Sequence, residues 1–147
     1  MERPVLISIA GTQRIPDERP ETIELVTQGR YRYEPGLATI SYTESELTGL
    51  RGVQSVFTID ENAKKAILCR TGPLNSTMTF VVGQTDESLY DMGFGGLLIR
   101  VCATRMTTLF NERGGIFDLE YTIEIEGSVS GTNCYHIEVR PLNGAAG

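Results

Sequence analysis

Ile116-Phe117-Asp118-Leu119-Glu120-Tyr121-Thr122-Ile123-Glu124-Ile125-Glu126 alternates apolar and polar side chains almost without interruption. Successive residues of a strand point to opposite faces. Phe117, Leu119, Tyr121, Ile123 and Ile125 therefore share one face, and Asp118, Glu120, Thr122, Glu124 and Glu126 the other. The first set belongs to a core. The same period of two recurs in nearly every segment between turn residues, and no segment keeps a helical period for three turns. The pattern predicts strands near 4–14, 21–34, 37–47, 52–60, 64–72, 74–82, 85–91, 96–110, 115–126 and 129–140.

The separators are turn chemistry: Pro16-Asp17 with Pro20, Pro35-Gly36, Gly49 with Gly52, Asp60-Glu61-Asn62, Gly72-Pro73, Gly83, Gly93 to Gly96, Gly114-Gly115 and Gly127. Connections this short suit antiparallel hairpins, because parallel neighbours need crossovers of about a dozen residues. A meander of about ten strands left open would expose two long edges and an apolar face. Closure removes both. The expected fold is all-β, an antiparallel up-and-down barrel like the lipocalins, preferred over a β-sandwich. It requires the last strand to pair antiparallel with the first. No repeat or composition break divides the chain, so residues 1–147 form one domain, with a tail at 142–147 small and polar enough to fray.

Composition excludes several functions. A formal charge of −6 and a pI near 4.8 argue against nucleic-acid binding, which needs clustered Lys and Arg. Arg30-Tyr31-Arg32 is too short a basic run and reads as an exposed strand face. The start, Met1-Glu2-Arg3-Pro4, leads into an apolar run shorter than a signal peptide or membrane span requires, so the expectation is a cytoplasmic protein with no membrane partner. Cys69, Cys102 and Cys134 lie more than thirty residues apart and read as free thiols packed on strands, not as a redox or zinc pair. The single histidine, His136, shares a face with Glu138 and Arg140 and should meet solvent, where it cannot complete an inward triad or a multi-histidine metal site. No cofactor or metal is expected. Gly93-Phe94-Gly95-Gly96 lacks the Lys and the helix of a phosphate loop and reads as a hairpin.

The strand phases also turn polar groups inward. Ala38, Ile40 and Tyr42 carry Glu44 with them, Ala66 and Leu68 carry Arg70, and Met78, Phe80 and Val82 point in with Ser76. Val5, Ile7 and Ile9 lead to Gly11 and Gln13; Ile23, Leu25, Gly29, Tyr31 and Tyr33 share a side with Thr27; Val129, Tyr135, Ile137 and Val139 share one with Asn133. Gln13, Thr27, Tyr42, Glu44, Arg70, Ser76, Tyr121 and Asn133 are thus candidate ligand-binding residues of one interior. Glu44 and Arg70 are expected to pair, since a charge buried alone is costly. Such a pair either fixes the register of a filled barrel or anchors a small polar or anionic ligand near its mouth. Glu44 and Glu46 share a face as paired catalytic acids would, but Glu46 runs into a turn.

Several segments carry a family resemblance: Ile9-Ala10-Gly11-Thr12-Gln13, Ile23 to Gly29, Ile40-Ser41-Tyr42-Thr43-Glu44-Ser45-Glu46-Leu47-Thr48-Gly49, Arg70-Thr71-Gly72, Met78-Thr79-Phe80 and Leu119-Glu120-Tyr121. On them the chain resembles, almost end to end, the YwiB-like family of uncharacterised bacterial proteins, small cytoplasmic barrels grouped with the calycins. The resemblance implies a lipocalin-like barrel of eight to ten strands and no defined activity. At Met92-Gly93 the chain departs from the Thr-Pro pair typical of the family, and glycine removes the restraint that proline gives that hairpin. Two functions compete: a barrel binding a small molecule inside, and a filled interaction module acting through its outer surface. Enzymatic action is the weaker third.

Overall fold

The alternation at Ile116 to Ile125 becomes one wall of a barrel. The structure, a computed structural model of the 147-residue chain, describes residues 2–15, 17–44, 51–91 and 96–142. It contains ten strands: β1 (Glu2–Arg14), β2 (Glu21–Glu34), β3 (Leu37–Thr43), β4 (Gln54–Asp60), β5 (Lys65–Thr71), β6 (Ser76–Val81), β7 (Thr85–Asp91), β8 (Gly96–Asn111), β9 (Gly114–Ile125) and β10 (Ser128–Pro141). No helix occurs among the described residues, so none there is long and apolar enough to cross a membrane. The end of the third expected strand with Glu46, the Gly49 turn, the Gly93-to-Gly95 hairpin tip and residues 143–147 lie outside the described residues.

All ladders are antiparallel, and β10 pairs with β1 from Val5 opposite Pro141 to Arg14 opposite Thr132. The expected closure across the sequence is present. The strand order is β6-β5-β4-β3-β2-β1-β10-β9-β8-β7, so the free edges lie at β6 and β7, two strands joined by one tight turn. The barrel is nearly closed, with its seam there. The turn is held elsewhere: Gly83 donates its backbone N–H to Ala103 of β8 at 2.9 Å. Ala103 precedes a bulge at Thr104, where the β8–β9 register shifts. Across the seam the Asp86 carboxylate of β7 accepts the Thr79 N–H of β6 at 2.9 Å, standing in for a missing ladder carbonyl.

Inward residues fill most of the lumen. Phe57 stands edge-on to Phe117 and Tyr135, with centroids 5.7 and 6.1 Å away, and Phe80 meets Tyr121 at 4.8 Å. One end is plugged by Tyr31, Tyr33 and Phe110, and the Tyr31 hydroxyl donates to the Asn111 carbonyl at 2.6 Å. These contacts bury large aromatic surfaces within a core otherwise built largely of aliphatic side chains.

Three inward assignments need correction. Ile23 is 40% exposed and Val82 47%. Among the described residues β3 pairs with β2 only from Arg30 to Glu34 and the first half of β2 has β1 as its sole ladder partner, which places Ile23 at the rim. Val82 falls past the end of β6, in the turn. The third is Gln13, exposed near the end of β1; beside it β10 carries a register shift between Val129 and Gly131. Gly131 makes that bulge possible, since its φ of 144° suits glycine and a Cβ there would strike the Arg14 carbonyl.

Candidate binding site at the barrel mouth

Two cross-strand rows face each other at the end opposite the Tyr31 plug. On one wall Tyr42, Ser55, Arg70 and Ser76 lie directly opposite one another across β3, β4, β5 and β6. On the other, Glu21, Gln13, Asn133 and Tyr121 do the same across β2, β1, β10 and β9. Glu44 follows Tyr42 just past β3, tied to β4 by its backbone N–H on the Val53 carbonyl at 2.8 Å. The rows enclose a cavity of about 200 Å³, lined on its polar side by Gln13, Glu21, Tyr42, Glu44, Arg70 and Asn133 and on its apolar side by Ile9, Leu25 and the Tyr135 ring.

Glu44 and Arg70 are 5% and 7% exposed, so both charges lie within the barrel end. Among the described residues the ion pairs within 4.0 Å do not include Glu44 with Arg70, which corrects the expectation of direct contact. The carboxylate instead accepts the hydroxyl of Ser55 at 2.6 Å, and Ser55 is the register partner of Arg70. Arg70 Nη2 donates to the Tyr135 hydroxyl at 3.4 Å. Burial, and then the negative charge of Glu44, pushes the Tyr42 hydroxyl well above the ordinary phenol range, so it remains protonated and a donor to that carboxylate. Asn133 donates its Nδ2 to the Tyr121 hydroxyl at 3.2 Å, while its buried Oδ1 has no hydrogen-bond partner among the described residues.

The expected residues therefore divide. Tyr42, Glu44, Arg70 and Asn133 line the cavity, and Gln13 does so from an exposed rim position. Thr27 is half-buried deeper in the barrel, opposite Ile7, with its hydroxyl on the Gln28 carbonyl. Tyr121 is buried behind Asn133. Ser76 turns toward a lateral cleft at the β6–β7 seam, which Arg70 also borders. Ser55, Glu21 and Tyr135 were not among the candidates. Ser55 was legible from its place between Val53 and Phe57 on one strand face, whereas nothing marks Glu21 at the start of β2.

The sequence profile of the domain of unknown function DUF1934 matches residues 7–137. The chain belongs to that family. This DUF1934 chain also superposes on the crystal structure of the ywiB protein from Bacillus subtilis with a TM-score of 0.81, covering 95% of this chain and 92% of that one at 20% identity. At that identity the likeness shows the shared fold. Among curated proteins, none matches it.

Of the remaining titratable groups, Cys134 also borders the mouth cavity. Cys69, Cys102 and Cys134 are free and half-buried. Burial, with the hydrogen bond to Glu120, raises the Cys134 thiol above its ordinary range. His136 faces solvent between Asp118, at 2.5 Å from Nδ1, and Glu138, at 3.2 Å from Nε2. The bond to Asp118, and then that to Glu138, raises its pKa above the ordinary value. Its stabilising contribution is thus fully present below about pH 6.5 and is lost as pH rises through the higher folded-state value. A ring-proton NMR titration should place His136 above that reference, and Asp118→Asn should return it most of the way.

Proposed function

We propose that this protein binds a small polar molecule in the cavity at the barrel mouth. The supporting observation is the cavity itself: two nearly buried charges, Glu44 and Arg70, line a space of about 200 Å³ beside apolar walls while the rest of the lumen is packed. Sites for drug-sized ligands typically run to about 300–1,000 Å³. The occupant is accordingly a molecule of few heavy atoms, not a lipid or a haem. A filled module acting through its surface would use the same two charges to fix the register of the barrel end, where Ser55 donates to Glu44 and Arg70 to Tyr135.

Arg70→Met tests the reading. In a mouth that water reaches, the variant should fold and lose about 1–2 kcal/mol, between the values for exposed and fully buried pairs. Native mass spectrometry of protein purified from its own cell should show a small adduct on the wild type and none on the variant. A wild type without adduct, together with full recovery of stability in Glu44→Gln/Arg70→Met, would make the cluster purely structural.

A further inference from the structure

The turn between β6 and β7 keeps the two strands apart. Gln84 donates its N–H to the Val81 carbonyl at 2.9 Å, closing a β-turn over Val82 and Gly83. Gly83 has a φ of 83°, whereas Val82 keeps the ordinary negative φ. Those signs are those of a type II turn, which splays the strands it joins, and not of the I′ and II′ turns whose twist suits a hairpin. The faces are also out of phase. Carried on from the turn, the register would set Phe80 beside Thr85 and Thr79 beside Asp86. Yet Phe80 is buried and inward, and Asp86 points inward as the ladder partner of buried Val101, while Thr85 and Thr79 turn outward. A slip of one residue reverses every face, so no ladder runs on from this turn.

We infer that the seam is a lateral door into the barrel, hinged at the β6–β7 turn and latched by the hydrogen bond between Asp86 and Thr79. The hinge is the anchored end, where Gly83 donates to Ala103. The latch lies partway along, where the Asp86 carboxylate reaches across to the Thr79 N–H. Beyond it, toward Ser76 and Leu89, the two edges flank the lateral cleft. The Ser76 and Ser88 hydroxyls are buried there without a hydrogen-bond partner among the described residues, a cost that opening to water relieves. Leu89, 59% exposed on the outer side, adds little packing against opening. Met78 and Phe80, 1% and 0% exposed, hold β6 to the core and make the open form a minor state. Arg70 borders both the cleft and the mouth cavity, so the door reaches the same end of the lumen from the side. The door does not depend on what the mouth binds.

Amide hydrogen exchange followed by NMR tests it. In the wild type, amides of β6 and β7 should exchange about tenfold or more faster than those of the β1–β10 ladder, at rates that low urea barely changes, the mark of a local opening. Asp86→Ala should raise the β6 and β7 rates by about a further tenfold and leave the β1–β10 rates as they were. Asp86→Asn, which keeps a carbonyl acceptor, should fall between. Equal acceleration throughout the barrel would make Asp86 a contributor to global stability and overturn the latch, and so would unchanged rates. Wild-type β6 amides as slow as those of β1–β10, and as sensitive to urea, would show a seam that stays shut and overturn the door, whether or not Asp86→Ala folds.

Discussion

Phe57→Ala is expected to destabilise the protein by about 3–5 kcal/mol, the range for removing a large aromatic from a close-packed core. Phe57 is 1% exposed and lies across from Ile40 on β3 and Leu68 on β5. It also meets Phe117 and Tyr135 edge-on from the far side of the lumen. Few neighbours can move into the vacated space, since they sit on strands whose register is fixed on both sides. Urea denaturation should show a lower midpoint at an unchanged slope. A loss under about 1 kcal/mol would mean that the centre of the barrel collapses around the gap and is less closely packed than these contacts describe. Tyr135 would also lose a wall, so the floor of the mouth should soften with the core.

Gly29→Ala is expected to cost about 3 kcal/mol, at the upper end of overpacking penalties, although it adds a single methyl group. A Cβ at this position would overlap the Ser41 carbonyl oxygen and Ile7 Cδ1 and lie 3.2 Å from Tyr42 Cβ. Only Ile7 could turn aside. The Ser41 carbonyl is backbone, so relief requires β3 to move away from β2 beside Tyr42. The predicted signature is therefore double: reduced stability, and chemical-shift changes at Tyr42 and Glu44 out of proportion to one methyl. A variant as stable as wild type would show that β3 does not approach β2 this closely.

The strands were legible because period two is an almost direct print of a half-buried sheet. Ten segments were marked by it, and the closing ladder of β1 with β10 followed from the need to hide two edges. What a fixed period cannot carry is a change of phase. On β8 the buried set runs Ile99, Val101, Ala103 and then shifts to Met106 and Phe110, because Thr104 is an extra residue opposite β9. That shift is visible in the sequence once sought. The inward turn of Tyr42, Glu44 and Arg70 was equally legible, being inherited from apolar neighbours two residues away. Their link through Ser55 was not, since pairing within a row depends on inter-strand register, which local alternation leaves free. The rim residues were least legible of all. Gln13, Glu21 and Ile23 sit where, among the described residues, β2 leaves its second neighbour, and no single strand's pattern reports that change.

Eight of the nine ladders join strands consecutive in sequence, and the ninth joins β1 to β10. A hairpin loop of a few residues closes at an entropic cost of about 1 kcal/mol on the logarithmic length law, whereas bringing Ile9 to Ile137 before anything else has formed costs about 4 kcal/mol. The closing ladder thus gains most when the hairpins already hold its two strands near each other. Its ten residue pairs then form on a shortened effective loop. The slow step of barrel assembly accordingly belongs to a contact between the two ends of the fold, and the β6–β7 seam, joined by one tight turn, adds no second long search.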